Sequence, residues 1–259
     1  TIKKNKMISL SWRMIPFITI FFITTTSLSA SNLWLETENG LVFQTVNDVE
    51  IPTGSATRFS LADFSKGPWH AFRAYLGYQI SDNHELRALY APFKVSASGK
   101  ADTDISFQNE DFQAGKTIKG DYMFNSYRLT YRYKLFGSDK LSFHIGFTGK
   151  IREAEIALYQ GNLYAARDNV GFVPLLHLNL RYNFNPTWAL EFDVDGMASP
   201  YGRAEDASLK ALYKLNKRWE FMTGYRTVEG GSDGGGKVYS FAWLHYAVFS
   251  IRHYLASGN

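Results

Sequence analysis

Residues Lys237 to Leu255 read KVYSFAWLHYAVFSIRHYL. Every second residue from Tyr239 onward (Tyr239, Phe241, Trp243, His245, Ala247, Phe249, Ile251, His253, Leu255) forms a mostly apolar, aromatic row, and the intervening row holds Ser240, Tyr246, Ser250 and Arg252. A period of two is that of a β-strand. At about nineteen residues the run is far longer than the usual five or six. A soluble sheet seldom uses such a strand, whereas a tilted strand that crosses a bilayer and continues past it does. The expectation is therefore a closed transmembrane barrel whose other strands share the pattern.

The same alternation recurs along the chain. Leu35, Thr37, Leu41 and Phe43 oppose Glu36, Glu38, Val42 and Gln44; Phe72, Ala74, Leu76, Tyr78 and Ile80 oppose Arg73, Tyr75, Gly77 and Gln79. The clearest case lies within Phe124 to Phe136, where Tyr127, Leu129, Tyr131, Tyr133 and Leu135 face one way and Ser126, Arg128, Thr130, Arg132 and Lys134 the other. Leu176 to Phe184, Trp188 to Asp195 and Ala207 to Leu215 repeat it. The phase inverts near Arg152-Glu153, as a bulge would produce, and Pro174 withholds a ladder donor unless a bulge absorbs it. Short polar turns are expected at Ser81, Gly137, Asn185 and Asn216, with connections between them that are mostly longer: a long loop over 47–68, a segment 96–121 that is either a second long loop or the projecting ends of two long strands, and a short link at Ser199 to Arg203. The reading is all-β: a transmembrane, antiparallel, up-and-down β-barrel of about ten strands, with eight or twelve as alternatives and the short turns in the periplasm.

Composition sets limits on function. Residues 1–30 carry Lys3, Lys4, Lys6 and Arg13 and no acid, followed by an apolar run from Met14 to Ile23 and small residues through Ser31, the layout of a secretory signal peptide. The domains read as signal peptide 1–30 and barrel 31–259. Removing those four bases from 28 leaves 24 against 24 acids, so the folded part is formally neutral and offers no basic face for nucleic acid. The chain has no cysteine, which excludes disulfides and thiolate chemistry.

With apolar rows outward, the lumen receives Arg73, Arg87, Arg128, Arg132, Lys150, Arg181, Lys210, Arg226 and Arg252, faced by Glu36, Glu38, Glu191, Asp193, Asp195, Asp206 and Glu220. A bore of this size is little wider than the side chains filling it, and unpaired charges there are costly, so a paired polar core is expected, with a narrow pore as the other possibility. Glu191, Asp193 and Asp195 lie on one face of one strand and suit a charge ladder better than an acid and base flanking one bond. Gly231 to Lys237 copies a phosphate loop only up to its lysine, since Val238 and a strand follow, so no nucleotide, metal or other cofactor is expected. Among the histidines, His84 falls in a turn, His245 and His253 on the lipid row, and His144 and His177 inside. His70, with Asp63 upstream, is the position for an omptin-like protease, and His144 or His177 beside Ser142 for a lipase-like enzyme. A soluble secreted binder is the further alternative.

Over its whole folded length the pattern resembles the small outer-membrane β-barrel proteins of Gram-negative bacteria, the broad group that includes outer-membrane proteins A, W and X. The signal peptide, strands such as YRLTYRYKLF and WALEFDVD, and the aromatic last strand carry the resemblance. The last strand departs from the group by continuing through Ala256 to Asn259 after Tyr254-Leu255. The resemblance implies an outer-membrane location, insertion by the barrel-assembly machinery, contact with lipid and lipopolysaccharide, and a structural, surface or narrow-pore role without catalysis. Loops 47–68 and 96–121 would then be open to an extracellular partner.

Overall fold

In the computed structural model, residues 32–255 are described; the signal peptide expected over 1–30 lies outside the described residues. The described residues form fourteen strands: β1 (Leu33–Glu50), β2 (Phe59–Ser60), β3 (Trp69–Ser81), β4 (His84–Ala91), β5 (Lys94–Lys100), β6 (Ile105–Phe107), β7 (Glu110–Phe112), β8 (Thr117–Gly137), β9 (Leu141–Gln160), β10 (Leu163–Asn183), β11 (Trp188–Ser199), β12 (Gly202–Lys214), β13 (Trp219–Asp233) and β14 (Tyr239–Tyr254). β4 and β5 both pair with β8 and form one barrel position, interrupted at Pro92-Phe93. β2 only annexes the end of β1, and β6–β7 is a separate hairpin. The remaining neighbours pair antiparallel in chain order, and β14 closes on β1 from Trp34↔Tyr254 to Glu50↔Tyr239. The result is a closed, up-and-down barrel of ten strands.

Its outside is apolar. Leu129, Leu176, Leu178, Phe147, Leu209 and Phe249 are all well exposed on the outer face. Aromatic contacts border this belt: Trp188–Tyr213 and Trp219–His253 near the short turns, Tyr90–Tyr127 and Trp243–His245 at the other end. A soluble barrel cannot leave such a belt in water, and a bilayer is what covers it.

β8, β9 and β10 are 21, 20 and 21 residues long, roughly twice what a tilted strand needs to cross a membrane. Beyond the belt the polarity of the two faces exchanges. On β9 the outward row runs Ile145, Phe147, Ile151 and then Glu153 and Glu155, while the inward row runs Thr148, Lys150 and then Ile156 and Leu158. The β8–β9 register is unbroken there, so the inversion expected as a bulge near Arg152-Glu153 is instead the strand leaving lipid for water. The real bulges lie at Thr45, Ile80 and Leu135.

Other boundaries also differ from expectation. Asn47 to Glu50 belong to β1, so the first loop begins at Ile51. Ser96 to Asp121 holds the ends of β5 and β8 with the β6–β7 hairpin between them. No long connection follows Leu158: β9 turns into β10 through Gly161-Asn162, where Gly161 takes a positive φ of 59°. β11 and β12 meet through two residues, within the short link expected at Ser199 to Arg203. His84 opens β4 instead of sitting in the turn.

The β10–β11 ladder runs only from Leu176↔Gly196 to Asn183↔Ala189. Above it β10 pairs with β9 alone and β11 with β12 alone. Pro174 sits opposite Gly149 of β9 with no bulge, on a stretch where the β11 side has no ladder bond to lose.

Over the extracellular end, the β6–β7 hairpin folds inward. Phe107 and Phe112 are fully buried with Ile105, Leu61, Ile118 and Leu158. Phe107 meets Phe59 edge-on at 5.9 Å, and the Gln108 N–H donates to the Ile51 carbonyl, which ties the hairpin to the first loop.

Candidate functional site

The strand alternation that exposes the apolar rows to lipid sends the charged rows into the lumen. Arg73, Arg128, Arg132, Glu191, Asp193, Asp195, Lys210, Arg226 and Arg252 are buried inside the barrel, and Arg181 is half-buried toward the periplasmic mouth. Ion pairs and hydrogen bonds link them into one network. Asp206 accepts from Arg73 and Arg128, each at 2.7 Å, and from Arg226. Arg226 continues to Glu38 at 2.8 and 3.0 Å, and Lys210 bridges Glu38 (3.2 Å) to Glu36 (2.7 Å). Arg252 joins Glu36 at 2.7 Å to Glu191 at 2.9 Å and reaches Glu220, which also pairs with Arg181.

On the opposite wall Arg128 binds Asp195 at 2.8 Å, while Arg87 and Arg132 converge on Asp193. His177 links the two acids. Its Nδ1 lies 2.7 Å from Asp195, its Nε2 receives Arg132 Nε at 3.0 Å, and a carboxylate only accepts while a guanidinium only donates. The ring is therefore the neutral tautomer with its proton on Nδ1. Tyr75 adds an acceptor for Arg73 and Arg226, and Trp34 covers the periplasmic side with Arg252 4.9 Å over its ring. Glu85, paired with Arg132 at 3.1 Å, and the packing roles of Trp34 and Tyr75 are additions that the charge pattern alone does not mark.

This layer divides the lumen. Toward the periplasm lies a cavity of about 380 Å³ bordered by Ser142, His144, Arg181 and Tyr254. Toward the exterior lies a larger one of about 480 Å³ walled by Tyr122, Phe124, Ile156, Val228 and Leu244, with Lys150 and Arg152 at its base. Of the nine inward cations expected from the sequence, eight reach a carboxylate within 4.0 Å; Lys150, 4% exposed, does not, among the described residues.

Neither enzymatic arrangement expected from the sequence assembles. His70 is exposed on the outer face and hydrogen bonds to Asn39 at 3.0 Å, because the register that sends Arg73 inward turns residue 70 out. His177 engages Asp195 and Arg132, and no hydrogen bond joins Ser142 to a histidine among the described residues. His245 and His253 face outward beside Tyr225 and Trp219, as expected. No cluster of metal-ligating side chains is present among the described residues.

No protein-family model matches the chain, and no curated protein does. Solved structures do match. The outer membrane protease OmpT from Escherichia coli is 8% identical, with 89% of this chain and 99% of that one covered and a TM-score of 0.53. AlkL, an outer membrane protein determined in lipid bilayers, is 12% identical over 88% and 93% of the two chains, with a TM-score of 0.40. Ail of Yersinia pestis, in complex with a heparin analogue, is 9% identical over 85% and 99%, with a TM-score of 0.39. The likeness to OmpT speaks to architecture alone, and together with the closed ladder and the apolar belt it gives the conclusion: this chain has the fold of the outer-membrane β-barrel proteins.

Proposed function

We propose that this protein is an integral, non-enzymatic barrel of the outer membrane whose lumen is closed by its ion-paired layer, so that it works at the outer face and in the surrounding lipid instead of passing solutes to the periplasm. The observation that carries this reading is the continuity of the layer from Asp193 through Asp206 and Glu38 to Glu191, with each of these carboxylates bonded to at least one buried cation. Buried charges are tolerated when paired, and a paired set that fills the bore leaves no water-filled path through it. Lipid and lipopolysaccharide would be the partners of the apolar belt, the barrel-assembly machinery that of the nascent chain, and the loop from Ile51 with the β6–β7 hairpin the surface offered to an extracellular partner.

Single-channel recording in a planar bilayer tests the reading, with an Asp193→Asn and Asp195→Asn double variant beside the parent protein. The folded parent is expected to be silent. Discrete steps whose cation preference falls in the variant would establish a pore lined by those carboxylates and end the plugged-barrel reading.

A further inference from the structure

The cavity above the ion-paired layer has an opening in the barrel wall. Between β10 and β11 the ladder stops at Leu176↔Gly196, and the two strand ends that separate there leave Phe172, Val173 and Pro174 on one side and Met197 and Tyr201 on the other. All five border the cavity; Phe172 is 70% and Tyr201 83% exposed. The level of this gap follows from the register. Phe172 pairs with Ile151, the last apolar residue on the outer row of β9 before Glu153 and Glu155. The lower part of the gap therefore faces the outer leaflet, and its upper part faces water.

The chemistry inside is that of an amphiphile's complement. The walls are aromatic and aliphatic. At the base, Lys150 Nζ lies 4.7 Å from the centre of the Phe124 ring and has no carboxylate within 4.0 Å among the described residues. Arg152, next on the same face, donates to Asn169, and its Nε is buried without a hydrogen-bond partner. A buried ammonium with no counter-ion is costly, and a ligand that brings one acidic group removes that cost while its apolar body fills the walls.

We propose that this cavity binds a molecule with an apolar chain and a single acidic group, which enters sideways from the outer leaflet through the gap between β10 and β11 and places its anion on Lys150. The inference goes beyond the plugged-barrel reading, and it is tested by binding, with no conductance readout, so that the two fail separately.

The test uses the full folded chain in zwitterionic vesicles and three probes of equal chain length: dodecanoate, dodecyl phosphate and the uncharged dodecanol, each displacing a dansylated undecanoic acid. Saturable binding is expected for the acids, with dodecanol weaker by about tenfold or more. The order of the two acids tells a carboxylate from a phosphate source. Lys150→Met keeps the apolar stem and is expected to abolish the preference for acid over alcohol while leaving dodecanol unchanged. Ala154→Trp, which fills the cavity, should weaken all three. Met197→Trp at the gap should slow association and dissociation together, with affinity held within about twofold. Each variant is accepted only if it keeps the folded gel mobility. No saturable binding by the parent, or equal dodecanoate affinity in Lys150→Met, overturns the site; unchanged rates in Met197→Trp overturn the sideways entry.

Discussion

Replacing Glu38 by Gln measures how dry the lumen is. Glu38 is 1% exposed and accepts from Arg226 at 2.8 and 3.0 Å, from Lys210 at 3.2 Å and from Ser250 at 3.3 Å. Gln keeps the shape, removes the charge and turns one acceptor into a donor among three cations, Arg226, Lys210 and, at 3.7 Å, Arg73, which retains Asp206. Each cation loses one of two counter-ions, since Arg226 retains Asp206 and Lys210 retains Glu36. A pair of charges about 4 Å apart interacts by about 1 kcal/mol in bulk water and about 4 kcal/mol at the effective dielectric of a protein site. Breaking one partner of a buried pair costs about 3–5 kcal/mol. The expected loss is thus about 3–5 kcal/mol for a closed layer and about 1 kcal/mol for a hydrated one. Lys210→Met should cost less, because Glu36 keeps Arg252 and Glu38 keeps Arg226. The double variant should recover about 0.5–3 kcal/mol relative to the sum of the singles. Reversible urea unfolding in phosphocholine vesicles at neutral pH, followed by tryptophan emission and gel mobility, gives all four free energies. A loss below about 1 kcal/mol in a fully folded Glu38→Gln sample refutes the closed layer.

Three further outcomes follow from other parts of the molecule. Leu178→Arg, on the lipid face midway between Phe172 and Phe184, should cost about 2–4 kcal/mol in the same assay and Phe184→Arg near the rim about 0–1 kcal/mol; equal costs would remove the bilayer from the argument. A Cβ on Gly77 would stand 1.9 Å from the Trp34 ring, so Gly77→Ala should expel the indole, red-shift its emission and cost about 1–3 kcal/mol, and unchanged emission would count against that packing. Outside the membrane, the Gly54 N–H and then the Arg58 guanidinium hold the Glu50 carboxyl below the usual carboxylate range. A lowered value means the bonds are present at neutral pH and lost as pH falls through it, so amide exchange over 51–58, corrected for its intrinsic rate, should rise only at pH below the usual carboxylate range. In Glu50→Gln it should already be fast at neutral pH; identical exchange in the two proteins would dismiss the clamp.

Much of this was legible as sequence because one physical rule governs it. Where both lipid and lumen border a strand, alternation assigns each residue, and Tyr127 to Leu135 or Glu191 to Asp195 landed on the faces that the period assigns. Above the belt the rule reverses: inside becomes apolar and outside polar. On β9 that reversal mimics a slipped register, which is why Ile156 and Leu158 read as a bulge. The same change of solvent hid the full lengths of β9 and β10, whose polar outer rows past Glu153 resemble loop. Pro174 marked an irregular place, but its meaning depended on where the neighbouring ladder ends, a pairing between strands that period cannot reveal. His70 failed for a simpler reason, one step of parity on β3.

The seam between β1 and β14 gives the plug a role in time as well as in space. Every other ladder of the barrel joins neighbours in chain order, whereas β1 closes on β14, and its Glu36 and Glu38 meet Lys210, Arg226 and Arg252 across 172 to 216 residues. Contacts so distant demand the most loop entropy and form late in folding. Bonds made after the transition state leave the folding rate nearly unchanged and slow the reverse step. The ion pairs at this seam act as a latch: they set how long the closed barrel lasts, a kinetic persistence suited to a protein with no route back to its chaperones.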